Sequence, residues 1–177
     1  MTEVAGYLRM DFLIPARGLI GFRNQFLTDT KGNGIMNHVF AGWGAYKGDI
    51  PGRTRGSLVA FEAGTTTAYG IDKCQARGTM YVNPGEEVYE GEIVGENSRE
   101  DDMDVNPCKK KHVSNMRAAG SDDAVRLVPP QTFSLEGALE HINDDETVEV
   151  TPKSIRMRKK ILSRMERART RARNARA

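Results

Sequence analysis

Apolar side chains recur at every second residue of the stretch 7–14, which predicts a strand. They are Leu8, Met10, Phe12 and Ile14. The spacing then becomes helical between residues 19 and 31, and Gly32 suits the end of a helix. The apolar face of that helix holds Leu19, Phe22, Phe26 and Leu27. Strands predicted at 34–43 and 2–5 complete a β-α-β unit that is too small to bury both faces of a sheet.

A stretch rich in Gly, Pro and charge at 44–56 predicts a domain boundary. Short strand patterns follow, and 57–64 and 66–74 are predicted to be neighbouring strands. The stretch 78–96 has two apolar segments separated by a Pro-Gly turn. This succession is typical of a small β-barrel or a tightly folded sheet. The chain therefore reads as α+β, a partial βαβ unit followed by a β-rich domain.

Residues 98–121 have no hydrophobic period and predict a long mobile loop, which we expect to be poorly ordered without a partner from about 100 to 119. The stretch 123–130 looks like a strand. Ser134 is a good N-cap for a helix with Leu135, Leu139 and Ile142 on one face. Two short strands split at Pro152 follow. A helix is predicted from Ile161 onward, with an arginine-rich outer face and with Leu162, Met165, Ala168 and Ala172 on its apolar side.

Composition indicates a soluble protein without a membrane span. The chain has 177 residues, of which 38% are hydrophobic and 28% charged, enough for one domain, or for one domain and a fragment of another. No apolar run could span a bilayer, and the N-terminus does not look like a secretory leader. The two cysteines do not form a CxxC pair and the three histidines are scattered, so we expect reduced thiols, no zinc site and a cytoplasmic location.

Charge is distributed unevenly along the chain. Residues 151–177 contain eleven Lys or Arg and one acid, Glu166, whereas the whole chain has 26 bases and 24 acids. This end is therefore +10 and the rest is −8. A basic end on an acidic body often indicates contact with nucleic acid or another anionic surface. Because residues 161–177 contain no aromatic side chain to stack on bases, nonspecific phosphate attraction and simple solubility are both open for this basic helical or disordered tail.

The residues do not indicate a catalytic site. No GxxxxGK[ST] loop, which would bind nucleotide phosphates, is present. The glycine pairs at 18–21 and 32–34 are predicted to lie at helix ends and turns. The acidic run 144–146 is read as a solvated turn in preference to a metal site. His141 is expected to be a cation that favours the C-terminus of its helix.

The basic segment within 104–117 is the strongest candidate for chemistry. Lysines neutralise phosphates, and Asn, Ser and His side chains can form hydrogen bonds with riboses, phosphates and unstacked bases. The candidate RNA-binding residues are Asn106, Lys109, Lys110, Lys111, His112, Ser114, Asn115 and Arg117. The alternative is an ordinary solvated surface loop, but the length of the structureless span favours a functional one.

Four stretches in succession carry a family resemblance. They are "IPARGLIGFRNQFLTDTKGNGIMNHVF", "RGTMYVNPGEEVYEGEIVGENSR", "NMRAAGSDDAVRLVPP" and "LEGALEHINDDETVEVTPKSIRMRKK". Together, from about Tyr7 to Lys160, they resemble the C-terminal part of the BipA/TypA family of bacterial translational GTPases of the ribosome.

The resemblance implies a domain order and a set of partners. Residues 1–47 would be the latter half of a ferredoxin-like domain similar to the fifth domain of elongation factor G, 48–160 the family's own C-terminal domain, and 161–177 a variable tail. The chain would be a C-terminal fragment that binds the 70S ribosome, rRNA and tRNA, has no small-molecule substrate and does not bind a membrane. GTP and Mg²⁺ would belong to the full-length relative, with no cofactor and no catalytic residue in this chain.

The resemblance also suggests a task for the basic segment. In the family, the corresponding loop reaches the acceptor end of an A-site tRNA, and the protein acts in ribosome assembly and in stress or cold adaptation. Asp101 departs from the asparagine expected there, which argues against an RNA contact at that position. Two other functions stay open: a free-standing RNA-binding protein, and a protein–protein or membrane-surface module that uses the basic tail.

Overall fold

A computed structural model describes residues 1–4, 6–48, 52–111 and 126–174. The chain divides into two compact units, Met1–Pro51 and Gly52–Ala177. Strands and short helices occur in both, so the fold class is α+β, as the sequence predicts.

The first unit consists of a hairpin and a helix. Strands β1 (Thr2–Val4) and β2 (Tyr7–Arg9) pair antiparallel, which confirms the strand predicted at 2–5. A 3-10 turn at Ala16–Leu19 leads to helix α1 (Phe22–Asp29). The helix ends where the Thr30 hydroxyl donates to the carbonyl of Phe26, at 2.7 Å.

Two strand predictions for this unit are wrong. The strand predicted over 7–14 ends at Arg9, and residues 34–43 lie in no helix or strand. The pattern failed because a strand also needs a neighbour for its backbone groups, and among the described residues of this unit only β1 and β2 pair. The large apolar side chains of 34–43 are consequently exposed except for the half-buried Met36, with Trp43 the most exposed at 96%.

The second unit is built on a four-stranded sheet. Its strands are β3 (Ser57–Ala60), β5 (Gly78–Met80), β7 (Ile93–Asn97) and β8 (Met103–Val105), in the order β5-β7-β3-β8. All pairs are antiparallel except β3 with β8, which is parallel. All four residues of β3 are buried, because it has a partner on each side. The core around β3 includes Leu58, Ile71 and Val94.

Smaller elements surround this sheet. Strands β4 (Gly64–Thr65) and β6 (Glu87–Val88) form one pair, and β9 (Glu146–Val150) with β10 (Ile155–Lys159) forms a hairpin. The helices are α2 (Ala68–Gln75), α3 (Leu135–His141) and α4 (Arg164–Asn174). The hairpin and α3 are confirmed predictions, since Ser134 caps α3 by accepting the amide N–H of Gly137 at 3.2 Å.

Helix α2 occupies the stretch 66–74, which was predicted to be a strand. The hydroxyl of Thr67 accepts the amide N–H of Gly70 at 2.9 Å and begins the helix. The buried residues are Gly70, Ile71 and Cys74, a spacing that belongs to one face of a helix. The apolar pattern over so short a run did not distinguish a strand from a helix. The stretch is helical because that structure packs Gly70, Ile71 and Cys74 on the core.

Strand β8 corrects the prediction that 98–121 is a structureless loop. Met103–Val105 pair with Leu58–Ala60 of β3, and residues 100–111 are all described. This strand was not visible as a periodic pattern, because three residues, of which only Val105 is buried, are too few to show a period. The strand-like stretch 123–130 is also wrong where it is described, since residues 126–130 lie outside any element. Residues 112–125 lie outside the described residues.

Candidate nucleic-acid interface

The basic segment begins at the N-terminus of α2. The amide of Thr67 donates to the carbonyl of Pro107 at 3.0 Å, and the Thr67 hydroxyl donates to the carbonyl of Lys109 at 2.6 Å. Gly70 lies so close beneath that a Cβ there would overlap the Pro107 carbonyl. A glycine inside a helix is therefore required at this position, and the segment is fixed to α2 up to the backbone of its first lysine, Lys109.

We call residues 107–128, which contain the lysine triplet, the lysine segment, and the same helix fixes its other end. The side-chain amide of Gln75 donates to the carbonyl of Val128 at 2.9 Å and accepts the amide N–H of Val128 at 3.4 Å. Eight residues of α2 span about 12 Å. The segment thus leaves from one end of α2 and returns at the other, so α2 is its base.

The lysine triplet lies just beyond the first attachment. Lys109, Lys110 and Lys111 are all exposed. Within the described ranges, no carboxylate pairs with Lys109 or Lys110, whereas Lys111 does have a partner. Two of the three ammonium groups are therefore available to phosphates without losing an ion pair.

Asn106 has a local structural role. Its side-chain amide donates to the carboxylate of Glu62 at 2.7 Å, and its oxygen accepts the amide N–H of Cys108 at 2.9 Å. These bonds shape the turn that precedes the lysines, and an RNA contact by Asn106 stays a prediction. The other predicted residues, His112, Ser114, Asn115 and Arg117, lie outside the described residues.

Sequence reasoning missed a buried ion cluster that includes Asp102, directly before β8. Its centre is Lys159, which is only 1% exposed. The ammonium group contacts Asp102 at 2.7 Å, Asp145 at 2.8 Å and Glu146 at 2.9 Å. Burial alone would lower the Lys159 pKa, but hydrogen bonds with these three carboxylates outweigh it and raise the pKa. Lysine is thus held charged in the interior.

Glu146 connects this lysine to a second cation. Arg53 donates to both carboxylate oxygens of Glu146, at 2.9 and 3.1 Å, and the Ser57 hydroxyl donates to one of them at 2.6 Å. Burial alone would raise the Glu146 pKa, but bonds from Ser57, the Asn143 amide and Lys159 outweigh it and lower the pKa. The cluster comprises Arg53, Asp102, Asp145, Glu146, Lys159 and Arg171.

Two readings of the sequence are corrected here. The run 144–146 is not simply a solvated turn, because Glu146 is buried at 3% exposure within the cluster. His141 is not a cation, because burial and the neighbouring Arg53 lower its pKa to about 4. Its Nε2 lies 2.7 Å from the Tyr81 hydroxyl and 2.8 Å from Arg53, contacts that suit a neutral ring. One signal was present in the sequence: Lys159 shares the alternating face of β10 with buried Met157.

Helix α4 uses arginine to contact the body of the unit. Arg167 is 7% exposed and donates to Asp104 at 2.6 Å, and Arg171 donates to Asp102 at 2.7 Å. Both aspartates belong to the segment around β8 that precedes the lysines. The prediction of a helix is confirmed, but the predicted apolar inner face is wrong, since Met165 is 67% exposed. The carboxylates on β8 decide which face is turned inward.

Other classes of site have little support in the described part of the chain. No group of acidic, cysteine or histidine side chains there could hold a metal ion, and no helix there is long and apolar enough to cross a membrane. Both cysteines are free thiols, and burial raises the Cys74 pKa to about 11. A cavity of about 350 Å³ next to the ion cluster is lined by Asp102, Asn143, Lys159 and Arg171, among others.

Known protein families match nearly the whole chain. The TypA/BipA C-terminal domain matches residues 55–164, and the elongation factor G C-terminus matches residues 1–54. The 177 residues do not include a GTPase domain.

Curated relatives support the same assignment. The large ribosomal subunit assembly factor BipA of Bacillus subtilis is 47% identical over 163 residues, which cover 92% of this chain and 27% of that protein. The factor of the same name from Synechocystis is 46% identical over 158 residues, covering 89% and 26%. That of Salmonella typhimurium is 46% identical over 165 residues, covering 93% and 27%. The chain spans about a quarter of the length of these relatives, and with its own C-terminal domain matched over residues 55–164 it belongs to the TypA/BipA family.

Proposed function

We propose that this chain is the ribosome-binding C-terminal region of a TypA/BipA protein that acts in assembly of the large ribosomal subunit. The observation that carries this is the exposed lysine triplet at the start of a segment whose two ends are fixed to the two ends of α2. The similar proteins named above are large-subunit assembly factors, which supports a ribosomal partner.

RNA is the partner that the chemistry of the segment favours. Lysines neutralise phosphates, and Lys109 and Lys110 have no carboxylate partner in the described part of the chain from which they would first have to be released. The bonds to Thr67 and Gln75 fix where the chain leaves and rejoins α2, so the exposed lysines lie at a defined place next to this helix. We propose rRNA and the acceptor end of an A-site tRNA as its targets, in a cytoplasmic protein with a role in stress or cold adaptation.

GTP chemistry would reside elsewhere in a longer protein. The chain has no phosphate-cradling P-loop, so we expect no cofactor here, with GTP and Mg²⁺ acting on a separate domain. Isothermal titration of the 177-residue chain with a GTP analogue should be flat, and micromolar binding would contradict the proposal.

The central experiment is the salt dependence of binding. Replacing Lys109, Lys110 and Lys111 with alanine should weaken binding to purified 50S subunits. It should also reduce the slope of log K against log salt by about 2, since each contact on single-stranded RNA contributes about 0.7.

A matched control distinguishes the loss of lysine contacts with RNA from the loss of net charge. Lys31, Lys47 and Lys153 are exposed lysines outside the segment, and their triple alanine variant loses the same net charge. We expect this variant to keep the wild-type slope to within about 0.5. If both triple variants changed binding equally, or neither did, the segment would not be the main electrostatic contact.

A further inference from the structure

Helix α4 is fastened to the second unit by one row of arginines. Arg164 and Arg167 contact the two oxygens of Asp104 at 3.2 and 2.6 Å, and Arg171 contacts Asp102 at 2.7 Å. The row recurs at i, i+3 and i+7, so it lies along one side of the helix. These arginines are neutralised by the body and are not free for another partner.

Further contacts fix how the helix is rotated. The Arg167 guanidinium also donates to the carbonyls of Ile161 (3.2 Å) and Leu162, and the Arg164 amide donates to Glu90 at 2.8 Å. The Arg164 guanidinium lies 5.2 Å from the centre of the Phe61 ring. With its first turn held by backbone and side-chain bonds, α4 has one orientation on the domain.

That orientation turns a second arginine row away from the body. At 3.6 residues per turn, Arg169 and Arg173 lie on the side opposite to Arg164, Arg167 and Arg171. Both are exposed, and among the described residues neither has an ion-pair partner. One acid, Glu166, is exposed on the same side and lies one turn before Arg169. The side facing solvent is therefore cationic and held in place.

We propose that Arg169 and Arg173 form a second phosphate-binding surface for an RNA strand, separate from the lysine segment. The two guanidinium groups lie one helical turn apart, about 6 Å along the axis, and can contact separate phosphates of one strand. The helix is already ordered by its inner row, so binding does not have to order a flexible tail. The outer side carries one exposed apolar side chain, Met165, and no Leu, Phe or Trp, which disfavours a lipid surface.

The test compares the double variant Arg169→Ala/Arg173→Ala with wild type in binding to purified 50S subunits and to a single-stranded oligouridylate. We expect the salt slope to fall by about 1.4, so that the variant loses about sevenfold less affinity than wild type between about 50 and about 200 mM salt. Arg169→Lys/Arg173→Lys should keep most of the wild-type slope, because it keeps both charges. All variants should melt like wild type, since both positions are exposed.

The control is Lys31→Ala/Lys153→Ala, which removes two exposed charges elsewhere. An equal change in this control, or a wild-type slope in the Arg169/Arg173 alanine variant, would overturn the second surface. Tighter binding of wild type to anionic vesicles than to RNA, lost in the same variant, would also overturn it in favour of lipid. Because the surface presupposes that the chain binds RNA, the lysine-triplet variant is measured in parallel. If only the lysine-triplet variant has a lower salt slope, the α4 surface is rejected and the proposed function stands. If wild type binds neither the 50S subunit nor the oligouridylate, both proposals are rejected.

Discussion

Lysine occurs in two opposite settings in the second unit, one buried and one exposed. Lys159 is 1% exposed and contacts three carboxylates, whereas Lys109 and Lys110 are exposed and have no carboxylate partner within the described residues. The charge is the same, but its consequence differs. In the interior an ammonium group must be paired, and removing it leaves uncompensated carboxylates. At the surface it is solvated, contributes little to folding and stays available to a phosphate.

The largest effect expected from this contrast is on Lys159. Changing Lys159→Met should lower the free energy of unfolding by about 3–5 kcal/mol, because Glu146 and Asp102 lose the buried cation that they share and keep only Arg53 and Arg171 as partners. Urea unfolding at pH 7 measures it. The control is Lys160→Met. Lys160 is exposed and adjacent to Lys159, so its replacement should change the free energy of unfolding by no more than about 0.5 kcal/mol. Equal stability of the two variants would mean that the ion cluster contributes no net pairing energy.

The base of the lysine segment should be the next most sensitive place. Gly70→Ala gains about 1 kcal/mol of helix propensity, but its Cβ overlaps the Pro107 carbonyl, and such overpacking costs about 1–3 kcal/mol. We expect a net loss of stability of up to about 2 kcal/mol and a displaced segment.

Gly137→Ala in α3 provides the matched control for that change. Its Cβ would meet Ser134 at 3.4 Å and Phe133 at 3.6 Å, which are ordinary contacts, so this variant should be as stable as wild type or more stable. Thermal melting distinguishes the two. A Gly70→Ala protein that melts above wild type would show that the segment moves freely over α2.

A buried carboxylate without a close cation should behave differently from the paired ones. Burial raises the Glu92 pKa to about 7, and its nearest cation, Arg156, is 4.0 Å away. The folded state therefore keeps this proton between pH 4.5 and 7 while the unfolded chain loses it, so wild type loses stability as pH rises through that window.

Glu92→Gln cannot titrate and should escape this loss. We expect it to equal wild type near pH 5 and to exceed it by on the order of 2 kcal/mol near pH 8. Urea unfolding at the two pH values measures the difference, with exposed Glu87→Gln as the pH-independent control. A constant difference between variant and wild type across this range would show that Glu92 is ionised in the folded protein.

The smallest effect on stability is expected at the exposed lysines. The Lys109, Lys110 and Lys111 alanine variant should unfold within about 0.5 kcal/mol of wild type, although its RNA binding should change most. Differential scanning calorimetry alongside the binding assay checks both halves of that contrast. A large loss of stability would give the triplet a structural role like that of Lys159.

Local patterns in the sequence were sufficient for several elements and for the candidate segment. Ser134 before an apolar helical spacing predicts α3, and alternation on either side of Pro152 predicts the β9–β10 hairpin. The lysine triplet could be singled out because lysine side chains neutralise phosphates in any fold, and its RNA binding stays a prediction. The family resemblance found in the same residues is confirmed by the match over 55–164.

Other features depended on contacts between residues far apart in the chain. Residues 66–74 read equally well as a strand until the core selects the face of Gly70, Ile71 and Cys74. Lys159 looks like any basic tail residue until β10 places it beside Asp102, which is 57 positions earlier. The inner side of α4 is likewise chosen by Asp102 and Asp104 on the neighbouring segment, against the helix's own apolar spacing. Sequence determines propensity and charge over a few residues, but burial and pairing of a charge depend on which distant groups the fold brings within about 3 Å.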